Sequence, residues 1–314
     1  MLASSQSAEV TVIIVSWNTR ELTLKAIETL LENAGNVRMQ VVVWDNASID
    51  ASAEAVAQRF PEIELIAHDE NIGFAAANNR VAKVAKTEWL LLLNPDTETH
   101  PKAIENLLQF GKANPQAGIV GGRTVFPDGT LNPASCRKKP SPWSLICSAF
   151  GFSRLFPNSS FWNPEAIGGW NRDSVREVDI VVGCFFLLKR ELWERLGGFD
   201  SKYFMYGEEA DMCLRAAKLG YSPMITPEAQ IMHLLGASTK LRSEKQISLM
   251  RARASLIEDH WPAALVPIGR VLMWFWIANR RLASGIQSSF LGKSEAAVEW
   301  EKIWNARKDW MKGY

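Results

Sequence analysis

Five apolar residues in succession, Trp89-Leu90-Leu91-Leu92-Leu93, run straight into Asn94-Pro95-Asp96 and constrain this chain more than any other stretch. An unbroken apolar run of this length reads as a strand buried on both faces, the kind that a parallel sheet covered by helices requires. Proline stops it, because it cannot donate to a ladder and bars its predecessor from a helical turn. The first charged group past the strand end is therefore a carboxylate, Asp96. In open α/β sheets, ligands collect outside the carboxyl ends of the strands. An acid delivered there suits a divalent cation or a sugar hydroxyl. Taken alone, Asn-Pro-Asp is more simply a turn; the rest of the chain decides for a site.

Strands are predicted over 10–15, 39–44 and 63–66, from β-branched and apolar runs, with a short fifth strand over 119–121. Helices alternate with them: 21–32, an alanine-rich stretch ending at Phe60, 75–85, and one that starts near Pro101 and runs to Ala113. This alternation predicts an α/β fold with a mostly parallel sheet and right-handed crossovers. The pattern breaks at the turn signal Phe126-Pro127-Asp128-Gly129-Thr130. Residues 131–176, rich in Pro, Ser, Asn, Trp and Phe, read as a substrate-covering segment with short helices inside it. Strand character returns over 178–188. A short helix over 191–196 is closed by Gly197-Gly198, a helix covers 212–219, and a short strand end is expected at Ile231-Met232-His233.

Apolar residues make up 47% of the chain and charged residues 22%, so it is globular rather than disordered. The net charge of +1 hides an asymmetry. From Lys240 onward there are 13 Lys/Arg against 7 Asp/Glu, whereas residues 1–239 carry 22 against 27. An acidic body argues against nucleic acid as a partner. A basic tail suggests something anionic. The four cysteines, Cys136, Cys147, Cys184 and Cys213, show no paired spacing and read as reduced cytosolic thiols. The start of the chain has neither the basic nor the apolar segment of a signal peptide, and no stretch reaches the ~20 apolar residues of a spanning helix. Six of the thirteen tryptophans lie beyond Lys240, where residues 263–278 are apolar apart from Arg270 and are interrupted by Pro267. Such a composition fits either an in-plane membrane-surface anchor or a helical cap packed on the body or on a second subunit.

Polar candidates gather at strand ends and loop tips. Asp45 ends the second strand, and Asn71 and Gly73, with Asn78, open a helix whose free N–H groups could take a phosphate. Asp96 ends the fourth strand, Glu208, Glu209 and Asp211 crowd a helix start, and His233 follows a late strand. Each has a plain structural reading, as a turn, a dipole-matching acid or a packed imidazole. Their common placement carries the functional case.

These segments together resemble glycosyltransferase family 2. The resemblance rests on 10–18, Asp45-Asn46-Ala47-Ser48-Ile49-Asp50, Asn71-Ile72-Gly73-Phe74 with Asn78, Asn94-Pro95-Asp96, Gly197-Gly198-Phe199-Asp200, the acidic box over 206–211, and His233 with Gly236. It spans residues 10–238 and is closest to the bacterial rhamnosyltransferase branch. It implies a GT-A fold and inversion at the anomeric carbon. It places Ser16 and Asn18 beside the nucleotide, Asp45 on the base, and Asn71, Gly73 and Asn78 along the nucleoside diphosphate. It places Asn94 and Asp96 at the metal-binding Asp-x-Asp position, where Asp96 would hold Mg²⁺ or Mn²⁺ with His233 as a second contact. Gly183 would leave space for sugar and acceptor, and Glu209 would be the general base. Two departures stand out. Asn94 replaces the first acid of Asp-x-Asp, so fewer charges hold the cation. The box reads Glu-Glu where Glu-Asp is common, so either Glu208 or Glu209 could be the base, with Asp211 orienting the site or binding the acceptor.

The resemblance thus implies transfer of a sugar, L-rhamnose from its dTDP donor, onto a polyprenyl-diphosphate-linked saccharide in surface polysaccharide synthesis. Alternatives are a hexosyl or galactofuranosyl transferase with another acceptor, and a catalytically silent sugar-nucleotide-binding scaffold. A catalytic domain over 1–239 is expected, with a nucleotide-sugar half over about 8–125 and an acceptor half over about 126–239. A basic, Trp-rich helical extension would follow over 240–314, holding the enzyme at the cytoplasmic face of the membrane or forming a homodimer.

Overall fold

The computed structural model describes residues 8–234, 242–291 and 295–314; Gly236 and Ser238 of the family-like segments lie outside the described residues. Two compact units emerge. The first comprises Met1–Arg137, Asn171–Phe204 and Asp211–Ser238 over their described residues, and the second Lys138–Trp170, Met205–Ala210 and Thr239–Tyr314.

The first unit begins with alternating strands and helices: β1 (Val10–Ser16), α1 (Arg20–Asn33), β2 (Met39–Asn46), α2 (Ser52–Arg59), β3 (Glu64–His68), α3 (Phe74–Val84) and β4 (Trp89–Leu93). There follow β5 (Thr97–Thr99), α4 (Ala103–Ala113), β6 (Ile119–Val125), β7 (Leu131–Asn132) and β8 (Cys136–Arg137). After the second unit's α5 (Pro142–Ala149) and α6 (Phe152–Leu155) come β9 (Arg176–Glu177), β10 (Ile180–Val181), β11 (Phe185–Lys189) and α7 (Arg190–Leu196). Helix α8 (Glu208–Lys218) begins in the second unit and continues in the first, which ends with β12 (Met224–His233).

The central sheet runs β3-β2-β1-β4-β11-β6-β12-β5. Strands β3, β2, β1 and β4 are parallel, as the alternation requires. Every residue of β1 and of β4 is buried, which matches two strands covered by helices on both faces. Leu91, Leu93, Ile14 and Val43 join Ile27, Ile104 and Leu107 in one core, worth roughly 1.5–3 kcal/mol per large side chain.

Four expectations are corrected. The helix expected near Pro101 is α4, starting at Ala103 behind Lys102 at φ 61°, but residues 97–99, for which no element is expected, form β5. That strand exists only through antiparallel pairing with β12, over a hundred residues on, which no local pattern encodes. The strand over 178–188 is two: β10 pairs β8, and β11 inserts antiparallel between β4 and β6. The late strand end at His233 closes a ten-residue strand.

The second unit adds α9 (Arg242–His260), α10 (Val266–Leu291), α11 (Glu295–Asn305) and α12 (Arg307–Trp310) to α5 and α6. The fourth correction lies here. Pro267 does not interrupt the apolar stretch; it sits in the first turn of α10, where the missing N–H costs nothing. Met250, Ile257, Met273, Ile277, Ile303 and Trp310 form this unit's own core. Its tryptophans serve that core. Trp310 is fully buried, Trp261 donates to the Pro140 carbonyl at 3.1 Å, and Trp274 packs edge-on against Trp304. Cys136, Cys147, Cys184 and Cys213 are free and buried.

Candidate active site

The parallel strands of the first unit end side by side. Ser16 stands in register with Asp45 across β1 and β2, and β1 pairs on its other side with β4, beyond which come Asn94 and Asp96. The loops past these ends are stitched together. Asn18, at φ 53°, donates its N–H to Ser48 Oγ at 2.8 Å and accepts from the Ile49 N–H at 2.8 Å. The Ser16 hydroxyl turns inward to those of Thr19 and Thr23.

Asp45 is buried. One carboxylate oxygen accepts from the Ser48 N–H at 2.9 Å, and the other, Oδ1, is buried without a hydrogen-bond partner. Buried acceptors are almost always satisfied, so an orphaned carboxylate oxygen at a strand end points to a donor brought by a ligand. Beside it, Asn46 ties β2 to the next loop. Its Oδ1 accepts from the Ile72 N–H at 3.0 Å, and its Nδ2 donates to Asn71 Oδ1 at 2.9 Å. Asn71 Oδ1 also accepts from the Gly73 N–H at 3.0 Å.

Gly73 occupies φ +83°, and a Cβ there would lie 2.5 Å from the Phe204 carbonyl oxygen, so only glycine fits. The approach has a purpose: the Phe74 N–H donates to that carbonyl at 2.9 Å. One of the free N–H groups expected at the start of α3 is thus already taken. Asn78 donates to the Phe74 carbonyl, while its Oδ1 is buried and unpartnered.

Asp96 and His233 come together because β5 pairs with β12, His233 opposite Thr97. Two further bonds lock them: the Leu234 N–H donates to the Asp96 carbonyl at 3.0 Å, and Asn132 Nδ2 to the His233 carbonyl at 3.1 Å. His233 Nε2 lies 3.4 Å from Asp96 Oδ1, both side chains being buried. Burial would lower the imidazole pKa, but Cys184 and Asp96 beside it outweigh that and hold it up at about 10. The donor set fits a divalent cation. A carboxylate oxygen and an imidazole nitrogen each about 2.1 Å from one ion would stand roughly 3.0–3.4 Å apart. Gly183 lies in the buried turn that leads into β11, and the neighbouring Cys184 carbonyl accepts from the Asn94 N–H at 3.1 Å. That turn is therefore held at the end of β4.

In the second unit, Tyr206 and Gly207 take positive φ values of 69° and 96° just before α8. A non-glycine residue held there stores strain of order 1–3 kcal/mol, a feature of functional turns. The turn lets the Gly207 N–H donate to Glu209 Oε2 at 3.2 Å, and Glu208 and Glu209 are both buried. The Tyr314 hydroxyl donates to the Met205 carbonyl below them. Burial and then the Glu208 carboxylate push the phenol up to about 12. Asp211, in the first unit, pairs with Arg215 at 2.7 Å, and the same guanidinium donates to the Leu196 and Gly198 carbonyls.

The structure thus assembles Asp45, Asn71, Gly73, Asn78, Asn94, Asp96, Gly183 and His233 within the first unit, while Glu208 and Glu209 belong to the second. Against known proteins, residues 11–197 match the model of glycosyl transferase family 2. The chain belongs to that family. An N-acetylglucosaminyl-diphospho-decaprenol L-rhamnosyltransferase of Mycobacterium tuberculosis is 29% identical over 214 residues, 64% of this chain and 68% of the relative. The rhamnosyltransferase WbbL of Escherichia coli is 26% identical over 71% of this chain and 82% of its own length. Among solved structures, a mannosyltransferase from Pyrobaculum calidifontis in complex with GDP-Man and Mn²⁺ superposes with a TM-score of 0.56 at 19% identity, over 98% of this chain and 84% of that one. This likeness bears out the GT-A fold. The protein is a glycosyltransferase with rhamnosyltransferase relatives.

Several residues that shape this candidate site carry no role in the sequence reading. Asn46 lies inside a quoted segment, and its place after a strand end was the available signal. Asn132 and Cys184 in the first unit, and Tyr314 beside Met205 in the second, act through long-range contacts that leave no local pattern. Asn79 is another. Its Nδ2 donates to the Phe199 carbonyl and its Oδ1 accepts from the Phe199 N–H, both at 2.9 Å, across 120 residues. It thereby clamps α3 to the loop that leads to the acidic box. Asn79→Ala strips both Phe199 backbone groups of their partner and should cost about 1–3 kcal/mol. The midpoint of urea unfolding measures it; an unchanged midpoint would show that water replaces the clamp.

Proposed function

We propose that this protein is an inverting transferase that moves L-rhamnose from dTDP-rhamnose onto a polyprenyl-diphosphate-linked saccharide, working as a peripheral protein at the cytoplasmic face of the cell membrane. The observation that carries the reading is the buried Asp96–His233 pair at the same strand-end rim as the orphaned Asp45 oxygen. The rhamnosyltransferase relatives support the sugar, and the decaprenol-linked substrate named for one of them supports the acceptor.

In this reading the Asp45 oxygen accepts the imide N–H of a pyrimidine. Asn71, Gly73, Asn78, the end of β1 at Ser16 and the loop carrying Asn18 enclose the nucleoside diphosphate, and Gly183 leaves room for the sugar. Asp96 and His233 would hold Mg²⁺ or Mn²⁺, which when bound neutralises charge developing on the departing diphosphate. Asn94 is neutral, so Asp96 would be the single carboxylate that this segment offers the cation. Glu209, or Glu208, takes the proton from the acceptor hydroxyl as its oxygen attacks the anomeric carbon from the face opposite the leaving group. A single displacement inverts the configuration.

A thermal-shift series tests the donor. Ligand that binds only the folded state raises its stability by about 2.7 kcal/mol at one hundred times the dissociation constant. With Mn²⁺ present, dTDP should raise the melting temperature by several degrees and GDP should not. Equal shifts with every nucleoside diphosphate would sink the thymidine assignment. Transfer onto a polyprenyl-diphosphate-linked N-acetylglucosamine, followed by mass, tests the acceptor.

A further inference from the structure

Helix α10 carries an apolar flank that its own unit leaves exposed. Ile268, Val271, Phe275, Leu282, Ile286 and Phe290 are all open to solvent, Leu282 at 64% and Phe290 at 84%. At 100° per residue these six fall within an arc of about 100°, and the helix is roughly 39 Å long. The buried Gly269, Met273, Ile277 and Ser284 lie on the opposite side. Asn279 lies on the exposed flank and donates to the Ala149 carbonyl at 2.9 Å, which brings the end of α5 alongside. The next residues, Phe150, Leu155 and Phe156, are exposed apolar side chains as well.

Charge accompanies this surface. Arg270 and Arg281 of α10 are paired with Glu258 and Glu301. Arg154, exposed in α6, and Arg280, which the same rotation puts on the buried side of α10, have no carboxylate partner among the described residues. Burial and then the nearby Arg154 charge make Arg280 easier to deprotonate than a free arginine, as expected of two cations facing each other.

We propose that the exposed flank of α10, with Phe150, Leu155 and Phe156 beside it, docks on an anionic lipid bilayer, and that the exposed Arg154 of α6 meets its phosphate headgroups. The proposal rests on the reading of a lipid-linked acceptor and names the surface that would bring the enzyme to it. Charge decides between a bilayer and a second copy of the chain. Residues 240–314 hold 13 cations against 7 acids, so two copies of this segment would repel, whereas anionic lipid attracts it. No helix of the described residues is long and apolar enough to cross a membrane, so α10 would lie in the plane of the interface.

Cosedimentation of the full chain with vesicles tests this. Vesicles of phosphatidylcholine doped with phosphatidylglycerol should bind at least tenfold more tightly than phosphatidylcholine alone, and salt should weaken the binding. The double variant Leu282→Glu/Ile286→Glu, whose side chains are already in solvent, should bind at least tenfold more weakly while melting like the wild type. Arg154→Gln should lose about fivefold on the anionic vesicles only. Neither change should alter hydrolysis of the sugar nucleotide in lipid-free buffer. The proposal is overturned by vesicle binding that Leu282→Glu/Ile286→Glu leaves intact, by failure to bind either vesicle, or by a wild-type dimer that the variant splits. Vesicle binding needs no donor, so a protein that docks as described yet turns over no sugar nucleotide keeps this surface and sinks the proposed reaction instead.

Discussion

Glu209→Gln should cut sugar transfer by roughly 10²–10⁴-fold, the range a positioned general base contributes. Glutamine keeps the shape of glutamate and can still accept from the Gly207 N–H, the bond that holds Glu209 at the start of α8. It cannot take a proton. Donor affinity, which the proposed function assigns to the Asp45 and Asp96 rim, should therefore stay within a factor of about two, so that kcat falls and the dTDP thermal shift does not. Glu208→Gln is the necessary companion. Glu208 is equally buried, and its carboxylate raises the Tyr314 pKa. Should Glu208→Gln abolish transfer while Glu209→Gln turns over normally, the base is Glu208. Full turnover in both variants would leave neither glutamate as the base.

Why the site is only partly legible in the sequence follows from how each residue reaches it. Asp45 and Asp96 end strands whose apolar runs are local, so periodicity places them at the rim. Gly73 and Gly197 announce themselves because a turn needs positive φ, and both have it. His233 is visible as a residue, but its partnership with Asp96 depends on β5, a three-residue strand that exists only through pairing with β12. Nothing in Thr97-Glu98-Thr99 predicts that. The antiparallel insertion of β11 beside β4 is hidden for the same reason: a five-residue apolar run fits either direction of pairing. Tryptophan in the last quarter suggests an interface, yet Trp310 and Trp261 face their own unit, and the exposed apolar flank of α10 is built of Ile, Val, Leu and Phe. Composition shows that apolar residues are there; only the folded helix shows which of them face water.

Asp96→Asn carries the other large expectation. The substitution keeps the side-chain size and removes the only carboxylate of the Asn94-Pro95-Asp96 segment, so a divalent cation loses its charged protein ligand. Transfer should fall on the order of 10³-fold, as for loss of one group that stabilises transition-state charge, and the added thermal shift from Mn²⁺ should vanish. A pH series separates this from simple damage. In metal-free buffer the folded His233 has its pKa raised from 6.5 to about 10, with Cys184 and Asp96 holding the proton. The stability of that pair is fully present below pH 6.5 and is lost as pH rises through about 10. Asp96→Asn should therefore destabilise the metal-free protein most at low pH, and the wild-type and variant melting curves should converge toward pH 10. A ligating imidazole must first shed its proton, so Mn²⁺ should stabilise the wild type more as pH rises over the same window. A wild-type Mn²⁺ shift independent of pH would remove His233 from the ligand set and leave Asp96 to act without it.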